Sequence, residues 1–105
     1  MDDAPRAEQL LTLSSAARRL ADLIAAAERP VHYEVLRHLL RVSEETMTEV
    51  LEEAVSVRLV KRAEDPFSYI PYNPTVARDI IEALGEERLD RHKRQIASAH
   101  ERVFE

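Results

Sequence analysis

Apolar residues recur along this chain at spacings that alternate between helical and extended periods. Leu10, Leu13, Ala16, Leu20, Leu23 or its neighbour Ile24, and Ala27 recur three or four residues apart, with Arg18, Arg19 and Asp22 on the opposite side. That spacing predicts an amphipathic helix, with Ser14 or Ser15 as its N-cap and Pro30 as its stop. A second helix is predicted over about residues 31–40, turning Val31, Val35, Leu36, Leu39 and Leu40 inward. Ser43 is placed to cap a third, with Glu44 and Glu45 where a helix N-terminus favours carboxylates. Its inward face is expected to be Met47, Val50, Leu51, Ala54 and Val55. Two short helices joined this tightly form a helix-turn-helix unit.

The period then changes. Residues 58–63 suit a strand, Asp65-Pro66 is a turn signal, and residues 67–72 read as the returning strand. Pro71 fits only an edge or a strand end, so the expectation is a two-stranded ribbon. Asn73-Pro74 opens a fourth helix, with the apolar stripe Val76, Ile80, Ile81 and Leu84, and Gly85 closes it in the left-handed conformation. A last helix spans about residues 86–104, with Leu89, His92, Ile96, Ala99 and Val103 inward. The expected fold is therefore mainly α: a winged helix-turn-helix, three helices plus a two-stranded β-hairpin wing, with two C-terminal helices. Residues 1–9 read as a flexible lead-in and residues 10–105 as the domain.

Composition narrows the chemistry. The chain has 105 residues, 15 Lys and Arg against 20 Asp and Glu, one glycine and no cysteine. One glycine cannot build a phosphate-cradling loop, and without cysteine there is neither thiolate catalysis nor a Cys-based zinc site. No cofactor is expected. His32 and His38 are six apart and His92 and His100 eight apart, neither of them the four-residue pair of a helical metal site. The serines carry no signature of an activated nucleophile, and Glu44-Glu45, Glu52-Glu53 and Glu86-Glu87 are adjacent pairs on exposed helix surface that do not face one another. A non-enzyme is expected. No apolar run reaches membrane-spanning length and no secretory leader is read at the start, which points to the cytoplasm.

In order, four segments carry a likeness: residues 13–20 (LSSAARRL), 44–62, 69–79 (YIPYNPTVARD) and 86–97 (EERLDRHKRQIA). Together they resemble the winged-helix domain that follows the ATPase core in STAND-type signalling ATPases, including MalT-type and LuxR-type transcription regulators and related AAA proteins. The likeness spans roughly residues 10–103. It departs at Arg58, where the family usually has glycine before the first wing strand, and at Tyr72-Asn73-Pro74, where a His-containing segment is usual. The resemblance implies a non-catalytic regulatory module that packs on a nucleotide-binding core and helps hold its off state.

A winged helix also invites DNA binding, through the N-terminal part of the third helix. From Val31 to Val57, however, two arginines stand against six glutamates, a net of −4, which repels phosphate. The positive residues there are Arg58, Lys61 and Arg62 on the wing. The candidate docking residues are accordingly Glu45, Glu49 and Glu52 on the third helix and Arg58, Lys61, Arg62 and Tyr69 on the wing. Phe67 and Tyr69 either form a small exposed patch or seal the ribbon against the last helices. The expected partner is a protein: an ATPase core domain in the same or another chain, or a second copy through the last helix. Arg88, Arg91, Lys93, Arg94 and Arg102 make that helix basic on its outer side, with local pairs such as Asp90 with Arg94 as the plainer reading. The alternatives are a small dimeric DNA-binding transcription regulator and a purely structural oligomerisation domain centred on Leu89, Ile96 and Val103.

Overall fold

Ser14 caps the first helix: its Oγ accepts from the Ala17 N–H at 3.1 Å, and helix α1 runs over Ser15–Ala26. The structure, a computed structural model, describes residues 13–104; the lead-in read over residues 1–9, and Leu10, lie outside the described residues. Leu20, Leu23, Ile24, Ala25 and Ala26 are all buried, so the last turns of α1 are enclosed on every side. A helix that is apolar all round belongs at the centre of a fold. Helix α1 takes that place, packing against the rest of the helices and the sheet. It ends at Ala26, with the Ala27 N–H donating to the Leu23 carbonyl, so the stop falls ahead of Pro30.

Pro30 instead leads into strand β1, Val31–His32, which the periodicity assigned to the second helix. Val31 does face the core, but from extended backbone. The His32 Nδ1 then accepts from the Glu34 N–H at 3.1 Å and caps helix α2, Tyr33–Leu40. Arg41 closes α2 with φ 56° and ψ 48°, a left-handed residue that donates its N–H to the Arg37 carbonyl. Ser43 caps helix α3, Glu44–Ser56, as expected.

Arg58, with φ 60°, turns the chain out of α3 by donating its N–H to the Val55 carbonyl. This left-handed backbone is a conformation glycine adopts freely, and Arg58 is the position where the resembled family carries glycine. Strand β2, Val60–Arg62, follows, then strand β3, Ser68–Pro71. Between them the Asp65 carboxylate accepts from the Phe67 N–H (3.1 Å) and the Ser68 hydroxyl (2.9 Å), fixing the turn and holding its own pKa below the usual carboxylate value.

The sheet has three strands, not two, in the order β1-β3-β2, all antiparallel. Val31 pairs with Tyr69 and His32 with Ser68 on one side of β3; Val60, Lys61 and Arg62 pair with Pro71, Ile70 and Tyr69 on the other. The Tyr33 N–H extends the first ladder, donating to the Phe67 carbonyl at 2.8 Å. Pro71 sits at the end of the central strand, where its missing N–H breaks no interior rung.

Asn73 Oδ1 accepts from the Val76 N–H at 2.8 Å and starts helix α4, Pro74–Leu84. Gly85 has the positive φ expected, 82°, but its ψ of 161° is not the left-handed helical value. That extended turn lets helix α5, Glu86–Phe104, begin at the next residue. In α5 only Ala99 is fully buried; Leu89, His92, Ile96 and Val103 are half-buried, so α5 covers the core from outside. Ile96 and Val103 pack on the chain's own core.

Candidate interaction surfaces

Five glutamates and no base lie along α3. Two of the five are held within the fold. Glu44 pairs with Arg37 at 3.4 Å, and the half-buried Glu53 accepts from both the Ser14 N–H (2.7 Å) and the Ser14 hydroxyl (3.0 Å). Glu53 thus ties α3 to the start of α1, which the expectation of a solvated Glu52-Glu53 pair missed. Glu45, Glu49 and Glu52 are exposed and make no ion pair among the described residues. Their spacing of four and three residues sets them on one helix face.

Helix α3, the first turn of α2 and the hairpin line a groove. It brings together four of the seven sequence candidates, Glu52, Lys61, Arg62 and Tyr69; Glu45, Glu49 and Arg58 lie outside it. Lys61 stands 5.8 Å from the centre of the Tyr72 ring, a distance at which the ammonium is attracted by the ring face. Tyr69 is only 7 % exposed and belongs to the core, so it supports the sheet from within and does not present a docking surface.

The exposed apolar residues at this groove are others. Phe67 is 64 % exposed and Val55 43 % exposed. Val55 was expected inward, but the inward arc of α3 is filled by Met47, Val50, Leu51 and Ala54, and Val55 falls at its edge. Phe67 lies in the turn, one residue before β3, so strand alternation does not apply to it; it lines the same groove as Tyr69 but stands exposed where Tyr69 is buried. It stacks obliquely on His32 (6.2 Å between ring centres), which also meets Phe104 edge-on at 5.0 Å; Phe104 in turn lies 4.9 Å from His100. Helical spacing joins His100 to Phe104, but nothing in the linear pattern joins that pair to His32 or Phe67. The short strand β1 brings His32 to the hairpin and to the end of α5.

On the other side of α1 a cleft against α5 is lined by Arg18, Arg19, Arg88 and Arg91, with Asp22 and His92 among them. Burial raises the Asp22 pKa despite the attraction of His92, Arg88 and Arg18. Burial likewise pushes the His92 imidazole below its ordinary value, against the pull of Asp22 and with the help of Arg88, Arg19 and Arg91. The His92 Nδ1 and the Gln95 Oε1 are buried without a hydrogen-bond partner. Lys93, counted with the basic side from sequence, is engaged by Glu28 at 2.9 Å, and Asp90 and Arg94 form no ion pair.

These shifts fix the sign of a pH effect. A histidine whose pKa is depressed by folding contributes stability that is present above the unfolded value and lost as pH falls through the lower folded one. Asp22 acts oppositely: with its pKa raised by burial, stability is gained as pH falls through the raised value towards the ordinary carboxylate one, which offsets the histidine only in that lower window. The expected result is a thermal midpoint that falls on acidification from about pH 7 to about pH 5. His92→Leu should flatten that fall; an unchanged slope in this variant would assign the effect elsewhere.

Among the described residues no three His, Asp or Glu side chains come together as metal ligands, and no helix is long and apolar enough to cross a membrane. In comparisons with known proteins, no family model, curated protein or solved structure matches this chain.

Proposed function

We propose that the chain is a winged helix serving as a non-catalytic regulatory module that docks on protein, similar to the domain after the ATPase core in STAND-type signalling ATPases, and working in the cytoplasm. The observation that carries this reading is the placement of β1. A strand between α1 and α2, hydrogen-bonded to β3 of the hairpin, yields the order helix, strand, helix, helix, hairpin that a winged helix requires. The two helices beyond it, α4 and α5, support the same reading, in which two C-terminal helices extend the domain.

Protein is favoured over nucleic acid by charge. The helix that would enter a major groove presents Glu45, Glu49 and Glu52, and DNA affinity comes largely from cations displacing counterions at phosphates. The groove beside that helix is instead edged by Phe67 and Val55, the mixture of apolar centre and charged rim that suits a protein partner. The DNA reading would rest on Lys61 and Arg62 of the wing.

The test places a photo-crosslinking residue at position 49 or 67 in the source cells and identifies the adducts by mass spectrometry. Adducts with a protein are expected at both positions, and with a nucleotide-binding core, in the same chain or another, at position 67. A random-sequence duplex should not bind at low salt. Duplex binding that weakens steeply with salt, with a slope flattened by Lys61→Ala and Arg62→Ala, would replace this reading with DNA recognition.

A further inference from the structure

Two surfaces of opposite sign lie on different helices of this chain. On α5, Arg88, Arg91 and Arg102, with Gln95 and Ser98 between them, recur at spacings of three and four residues and so share one stripe; Arg94 flanks it. Arg18 and Arg19 of α1 widen the stripe at its N-terminal end, where the two clefts that line it share Arg91 and Gln95. None of these six arginines makes an ion pair among the described residues. Asp22 is the one carboxylate lining the two clefts, and it is half-buried.

The second surface is the outer face of α3. With Glu44 paired to Arg37 and Glu53 to Ser14, Glu45, Glu49 and Glu52 remain, and no Lys or Arg of α3 interrupts them. At the rise of an α-helix, Glu45 to Glu52 spans about 10 Å, the same as Arg88 to Gln95 along the stripe. The acidic row is opposite in sign to the N-terminal part of the stripe, and Arg88 and Arg91 fall within its length.

We infer that the arginine stripe of α5 and α1 receives α3 of a second copy of this chain. This rests on the protein-docking reading above and names one partner for it. The two patches are different surfaces, so the contact is head-to-tail: each copy offers one α3 and one stripe, and assembly continues until a ring closes or the concentration limits it. A small anion is a poorer occupant, because Asp22 sits among the arginines nearest α1; a helix carrying spaced carboxylates can meet the arginines on either side of it. Each exposed ion pair contributes little alone, so the contact depends on the whole row and on low ionic strength.

Sedimentation equilibrium of the full chain tests this. In about 25 mM salt the weight-average mass should rise well above 12.0 kDa as concentration approaches about 500 μM, and return to 12.0 kDa in about 500 mM salt. Arg88→Glu with Arg91→Glu, and separately Glu45→Arg with Glu49→Arg, should each be monomeric under the low-salt condition, with circular dichroism and thermal midpoint confirming the fold. Mixing the two variants restores association, because one keeps an intact α3 and the other an intact stripe. A chain that stays at 12.0 kDa throughout overturns the inference, as does association that the α3 variant leaves unchanged or that the mixture fails to restore. A monomeric result leaves the crosslinking experiment with its own answer, so the two failures are separable.

Discussion

Replacing Tyr69 by alanine should lower the unfolding free energy by about 3 kcal/mol, at the lower end of the range for truncating a buried aromatic. Tyr69 is the residue of the central strand that stands between Val31 of β1 and Arg62 of β2, and its ring lies in the core. Removing it leaves a void beneath the sheet and takes away the packing that holds a two-residue strand to its neighbour. In a domain of this size the loss should lower the thermal midpoint by more than about 10 °C. Denaturant titration of Tyr69→Ala beside Tyr69→Phe measures it. The phenylalanine variant keeps the ring and should remain close to the parent. A Tyr69→Ala protein of parental stability would return Tyr69 to the surface and make it a docking residue after all.

Leu20→Ala should cost as much or more, about 3 to 4 kcal/mol. Leu20 is fully buried on α1, the helix that the rest of the chain encloses, so its cavity has neighbours on every side and little freedom to collapse. Stabilities of small domains are about 5–15 kcal/mol, so this single truncation removes a large share of the total. The midpoint of urea unfolding reports the loss, and an unchanged slope certifies that the same structure is unfolding. A loss below about 1 kcal/mol would mean that α1 is not the central element.

Helix ends were legible because capping chemistry is local. Ser14, Ser43 and Asn73 each accept from the N–H three residues on, as their side chains and positions led one to expect. Long amphipathic stretches were legible for a similar reason: one face of each helix repeats often enough to be counted. Strand β1 was not. Two residues carry no period, and Val31 satisfies a helical pattern and an extended one equally well. Its strand identity comes from the open edge of β3, some 35 residues away in the chain, which offers hydrogen bonds that residues 31–32 cannot find locally.

The candidate surfaces divide along the same line. Glu45, Glu49 and Glu52 could be read as an exposed row because helical spacing places charges as it places leucines. Tyr69 and Phe67, read together as either an exposed patch or a seal, divide between the two, since the hairpin turn ends at Phe67 and the alternation begins one residue later. Glu53 and Lys93, read as free surface charges, are engaged by Ser14 and Glu28, partners 39 and 65 residues away. By itself the sequence determined a mainly helical chain, the caps and faces of its helices, the hairpin turn, and an acidic third helix opposed by a basic last one. Only the tertiary structure decided the third strand, the core position of Tyr69, the exposure of Phe67 and Val55, and which charges remain without partners. Local periodicity and capping act within a turn or two of chain, whereas sheet edges, ring stacking and ion pairing depend on which distant segments the packed core brings within reach.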